Sequence, residues 1–282
     1  MGWHEWPLML FTVLAQSAVG AFWLCVLAMF AERRAGADVL RLERLMVVVL
    51  AVLGCGFLFS VAHVGSPMRG ANAFLRVGRA PLSNELFFGM SFLAAGGLAW
   101  LLSCWKSEGT QRLRDGLYLL ALLLSVVFLW NMTRFYLMPA VPTWNTPLTP
   151  AAFLVTVVLG GAVFANLMFG LSGLSSPRLD RIVTVVATLG LIGGALAAVV
   201  LLATLPGIAS SVQSASALSP DIGLWQAGRF LLLFAAFGLL LRQNVVHSHV
   251  RLTMAAALVL VVCGELIGRG LFYALHMTVG LV

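Results

Sequence analysis

Residues 252–276 read LTMAAALVLVVCGELIGRGLFYALH. These 25 residues carry only two charges, Glu265 and Arg269. As a helix the run would be about 37 Å long, enough to cross a hydrocarbon core of about 30 Å. Seven further runs of similar character lie near 8–31, 45–62, 84–105, 117–138, 151–172, 182–204 and 228–246. The run at 228–246 is the weakest of these, because Arg242 lies near its end and His247 and His249 follow closely. The whole sequence agrees: 282 residues, 61% hydrophobic, 10% charged, with a mean hydropathy of +1.02. A soluble domain carries about 25% charged residues, so this sequence cannot cover a water-facing surface. A soluble enzyme, a disordered regulator and a disulfide-stapled secreted domain are excluded. A membrane β-barrel would instead show short alternating segments. The expected fold is all-α: a polytopic integral membrane protein, one eight-helix bundle over residues 1–282.

The loops carry the orientation signal. Arg33, Arg34, Arg41 and Arg44 lie in the first, Lys106, Arg112 and Arg114 in the third, Arg178 and Arg181 in the fifth, Arg242 and Arg251 in the seventh. Basic loops stay cytoplasmic, so both termini are expected outside, in the periplasm of a Gram-negative inner membrane. The net charge of +7 is therefore topological, with lipid headgroups as further partners, and does not point to nucleic acid. Arg69, Arg76 and Arg79 in the second loop break the rule, which a partner protein or anionic ligand outside would explain. Two longer connections, near 63–83 and 205–227, could form re-entrant or capping structure. No cleavable signal is expected, since no Lys or Arg precedes the first run. Cys25, Cys55, Cys104 and Cys263 form no C-x-x-C pair, so no iron–sulfur cluster or zinc is expected within this protein. Pairs of small residues, Gly190 with Gly194 and Gly264 with Gly268, read as close helix packing.

Ionisable groups at bilayer depth cost about 2.5–3.5 kcal/mol each and invite a functional reading. They are Glu85, Arg134, Glu265 and Arg269, with Gln16, Asn131 and Asn166 as neutral companions and His63 and His276 at helix ends. With the termini outside, all but Asn166 fall in the outer half of the bundle. Glu265, Arg269, Tyr273 and His276 step by 4, 4 and 3, which places them on one helix face, and Asn131 shares a face with Arg134. Two readings of Glu265 and Arg269 stand: they neutralise each other at i, i+4 and fix packing, or they join His63, Glu85 and Arg134 in a proton-handling pocket. A quinol losing two electrons must lose two protons. A histidine, which titrates near neutrality, and a carboxylate can take them as general bases. A bis-histidine haem is not expected, because only His63 and His276 could supply ligands, both at the outer edge.

Several stretches carry a resemblance. They are Gly2-Trp3-His4-Glu5-Trp6-Pro7-Leu8-Met9, His63-Val64-Gly65-Ser66-Pro67-Met68-Arg69, Leu82-Ser83-Asn84-Glu85, Val141-Pro142-Thr143-Trp144, Gly264 to Gly270, and Phe272-Tyr273 through Leu275-His276-Met277-Thr278-Val279-Gly280. Together they resemble the membrane anchor subunit of bacterial dimethyl sulfoxide reductase, from end to end, with Val64 in place of an expected Leu. The resemblance implies eight helices, no prosthetic group, and menaquinol bound near the periplasmic face. Electrons would pass to an iron–sulfur subunit and then to a molybdopterin catalytic subunit. It also implies that His63 and Glu85 are the quinol-site histidine and acid. Ser66, Arg69, Arg134, Glu265, Arg269 and His276 are the further candidates for the quinol site, with Ser66 and Arg69 also candidates for docking. The competing readings are a secondary transporter with the polar cluster as substrate site and a purely structural anchor. Transporters favour midplane sites and internal repeats, and no repeat is visible here.

Overall fold

The computed structural model describes residues 2–63, 72, 74–105, 108–209, 213–246 and 250–278. Eight long apolar helices are present: α1 (Trp6–Arg34), α2 (Leu40–His63), α3 (Pro81–Cys104), α4 (Gln111–Tyr136), α5 (Leu148–Ser172), α6 (Pro177–Thr204), α8 (Ile222–Val246) and α9 (Arg251–Ala274). A single turn, α7 (Ala215–Leu218), lies between α6 and α8. Local chemistry sets several ends. Pro sits in the first turn of α1, α3 and α6, where a missing N–H costs nothing. The Ser176 hydroxyl caps α6 by accepting from the Leu179 N–H at 3.2 Å. Helices α2, α4 and α8 begin five or six residues ahead of the apolar runs that mark them. Hydropathy sees only the part of a helix that meets lipid, whereas the backbone ladder continues through the polar residues beyond it.

Short connections make sequential neighbours antiparallel, so both α1 and α9 have their terminal ends at one face of the bundle, called here the terminal end. The opposite end carries Arg33, Arg34, Arg114 and Arg178. There Arg33 reaches both Glu43 and Asp115, the latter at 2.6 Å, and Arg114 lies 3.4 Å from Glu43. These pairs tie α1, α2 and α4 together. Helices α1 and α5 form the centre: 72% and 78% of their apolar windows are buried, against 28–39% for the other six. They approach closely at Gly20 and Gly161, where a Cβ on Gly161 would lie 2.5 Å from the Gly20 backbone.

The expected small pairs also pack. A Cβ on Gly190 would meet Leu159, and one on Gly264 would meet Leu233. The described residues of 205–227 cap the terminal end. Leu205, Ala215 and Ile222 among them bury against Leu271, Leu275 and Met277.

Candidate functional site

Polar groups at the terminal end form three layers. The outermost is an open cavity of about 340 Å³ lined by Gly2, His4, Glu5, Leu8, His63, Phe135, Tyr136, Met138, Trp144, Tyr273 and His276. Two segments fold inward to build it. The N-terminal turn Gly2–Glu5 lies directly on the end of α9. The α4–α5 connection is pinned to the same place: Thr143 donates to the Leu275 carbonyl at 2.5 Å and the Trp144 indole N–H to the Phe272 carbonyl at 2.7 Å. The Trp144 ring then stacks on Phe272 at 5.0 Å and touches the His276 ring at 4.7 Å. On the opposite wall the His63 Nδ1 lies 3.5 Å from a Glu5 carboxylate oxygen, both side chains about 40% exposed (39% and 41%). His63 closes α2 and Glu5 precedes α1, so the pair bridges two helices across the cavity mouth.

The second layer is the cavity floor. The Tyr136 and Tyr273 hydroxyls meet at 2.6 Å, both rings buried among Trp144, Phe153 and Phe272. The third is a buried polar belt about 8–15 Å below the helix ends, by the 1.5 Å rise per residue. Glu265 accepts from Arg229 Nη2 at 2.9 Å and from the Thr156 hydroxyl at 2.5 Å. Arg269 donates to the Gln16 side-chain oxygen at 2.6 Å and to Thr156 at 3.3 Å, with its guanidinium 4.0 Å from the Phe153 ring centroid. Gln16 in turn donates to the Met132 sulfur at 3.2 Å. Five helices are thus joined through one network. Gly268 makes room for it, since a Cβ there would lie 2.7 Å from the Arg229 guanidinium.

The structure brings together only some of the residues expected from the sequence. Glu265 takes Arg229, on another helix, as its ion partner, and Arg269 turns to Gln16 and Phe153. Side chains one turn apart point along the same face but need not touch, and neighbouring helices place Arg229 beside Glu265 and Gln16 beside Arg269. Arg134 is exposed and does not join the cluster, and the Asn131 amide is spent on its own helix, donating to the Val127 carbonyl at 2.8 Å. Near the end of α4 an outward Arg can reach the headgroup layer. Glu85 is buried, without a hydrogen bond or ion pair among the described residues, and does not line the cavity. His63 and His276 do line it, His276 just past the end of α9. Ser66 and Arg69 lie outside the described residues. Sequence reasoning passed over Arg229, a charge second in its apolar run, along with Tyr136, Thr156, His4 and Glu5. Arg229 could have been found from its depth alone.

A bundle of eight apolar helices, each long enough to cross a bilayer, with an open polar cavity at its terminal end defines a multi-pass integral membrane protein. Comparison with known proteins narrows the class. Residues 1–275 match the family described as DMSO reductase anchor subunit (DmsC), and the protein belongs to that family. It is 38% identical to the C subunit of anaerobic dimethyl sulfoxide reductase of Escherichia coli (strain K12), over 99% of this sequence and 98% of that one. It is 40% identical to YnfH, an anaerobic dimethyl sulfoxide reductase subunit of the same organism, again over 99% and 98%. Its identity to the corresponding C subunit of Haemophilus influenzae is 32%, over the same shares. The protein is a multi-pass membrane anchor subunit.

Proposed function

We propose that this protein anchors a dimethyl sulfoxide reductase complex in the inner membrane and oxidises menaquinol in the cavity at its terminal end. Both termini would face the periplasm. Electrons would leave one at a time to an iron–sulfur subunit docked over that end and reach a molybdopterin catalytic subunit. Exposed Arg76 and Arg79 flank the cavity in sequence and suit a docking surface with acidic groups.

The observation that carries this reading is the composition of the cavity. Its size falls in the range of small-molecule sites. Aromatic walls from Trp144, Tyr136 and Phe135 suit a flat quinol head, and a histidine with a carboxylate behind it stands at the mouth. His63 would take a quinol proton at Nε2 while Glu5 faces Nδ1, orients the ring and opposes the charge that forms. The proton would then leave directly to the outer aqueous phase through the exposed mouth. The belt below carries two guanidinium groups and one carboxylate, and its excess positive charge would favour electron-rich forms of a quinol bound above it.

The test is the rate of menaquinol-analogue oxidation by membranes holding the complex. His63→Ala should slow it by about 100-fold or more, the value of a general base. Glu5→Gln keeps the shape and removes the charge. It should slow oxidation by about tenfold, roughly 1.4 kcal/mol in the barrier, a modest figure because the pair is part-exposed and screened. Wild-type rates in His63→Ala would move the chemistry elsewhere.

A further inference from the structure

Glu85 does not line the cavity, and the register of α3 on α4 sets which cavity residue stands nearest to it. Glu85 is 3% exposed and sits on α3 one turn from its start. One turn deeper on the same face, Gly89 packs on Phe128 of α4, where an added Cβ would lie 2.9 Å from the Phe128 ring. Helices α3 and α4 are antiparallel neighbours, so moving one turn outward from that contact brings Glu85 level with Met132, with Tyr136 one further turn out on the same face of α4. Tyr136 touches Tyr273 hydroxyl to hydroxyl at 2.6 Å, and both tyrosines line the cavity. On the far side, one turn along α9 from Tyr273, lies the Arg269 guanidinium. The tyrosine pair on the cavity wall thus has a buried carboxyl about one turn away along α3 and α4 and a buried cation one turn away along α9.

We propose that the Tyr136–Tyr273 hydroxyl pair is a proton relay that connects the cavity to Glu85. The proposal rests on the quinol reading above. A quinol hydroxyl gives its proton to the Tyr273 oxygen as the Tyr273 proton passes to the Tyr136 oxygen. The Tyr136 proton passes to a Glu85 carboxylate oxygen, directly or through one water. Three O–H bonds break and three form, and both tyrosines end neutral. The second quinol proton goes to His63, and the two electrons go singly to an iron–sulfur cluster of the partner subunit. The two protons of one quinol thus leave by separate routes, one surface-exposed and one buried. After the turnover Glu85 returns its proton to the cavity along the same pair in reverse, once the quinone has left.

A purely structural pair would only satisfy two buried hydroxyls, and the test separates the two roles. Tyr136→Phe and Tyr273→Phe keep both rings and their edge-to-face contacts with Trp144 and Phe272 (5.3–5.9 Å). Quinol-analogue binding and single-turnover oxidation are measured on the purified complex, in H2O and D2O. Each variant should bind the analogue within about twofold of wild type but oxidise it about 100-fold more slowly. Glu85→Gln should lose a similar factor, and the double variant Tyr136→Phe/Glu85→Gln should lose no more than either single change, because both break one path. In wild type the solvent isotope effect should depend on D2O fraction with the curvature of several protons in flight, and in the variants that curvature should go. Wild-type oxidation rates in both tyrosine variants would overturn the relay, and so would losses that multiply in the double variant. A wild-type complex that fails to bind the analogue would instead overturn the quinol reading itself, leaving the relay without a substrate.

Discussion

Glu265 is the residue on which the buried belt turns. It accepts from Arg229 and Thr156, and Thr156 also meets Arg269. Removing one member of a buried ion network is costly because it strands the others, whereas replacing a pair by apolar groups of similar volume is much less so. Glu265→Ala leaves two guanidinium groups without a carboxylate and should lower stability by about 3–5 kcal/mol. The double variant Arg229→Met/Glu265→Met should recover most of that loss. Thermal unfolding of the detergent-solubilised protein measures both. If the double variant is no more stable than Glu265→Ala, the belt's cost is not that of stranded charge.

At the scale of elements, the site depends on where α1 and α5 cross. A close approach of the two, Gly20 on Val157 and Gly161, lies just below the belt and sets how far Gln16 stands from Thr156 on the other helix. Gly161→Ala places a Cβ 2.5 Å from the Gly20 backbone, which cannot rotate out of the way. It should cost about 1–3 kcal/mol as overpacking. Gly97→Ala on α3 meets nothing within 4 Å and should be neutral or gain up to about 1 kcal/mol from helix propensity. Comparing the two melting temperatures tests the crossing. A drop in Gly97→Ala as large as in Gly161→Ala would mean that helix propensity or lipid contact, not backbone approach, governs these sites.

At the scale of the molecule, the eight spans, their alternation and the polar terminal half were legible in the sequence. Length and hydropathy are properties of single segments, and the bilayer imposes both. Ion partners were not legible, because they depend on which helices meet. The i, i+4 spacing suggested Glu265 with Arg269, yet the partner is Arg229, 36 residues away on the neighbouring helix α8. Arg134 and Glu85 show the same limit: depth could be counted along each helix, but facing could not, and one turned outward while the other turned in. His63 and His276 were readable because a residue at a helix end is placed by the end itself. Glu5 and Tyr136 were hidden, because the N-terminal turn and the Thr143–Trp144 connection fold over α9 only through long-range contacts. All of this bears on one claim, that a quinol head binds in the cavity between His63, Tyr136, Trp144 and His276. A titration of the assembled complex with a fluorescent quinol analogue tests it most directly. Saturable quenching in wild type, weakened by His63→Ala and by Trp144→Ala, is the predicted result. Quenching unchanged in both variants would contradict it.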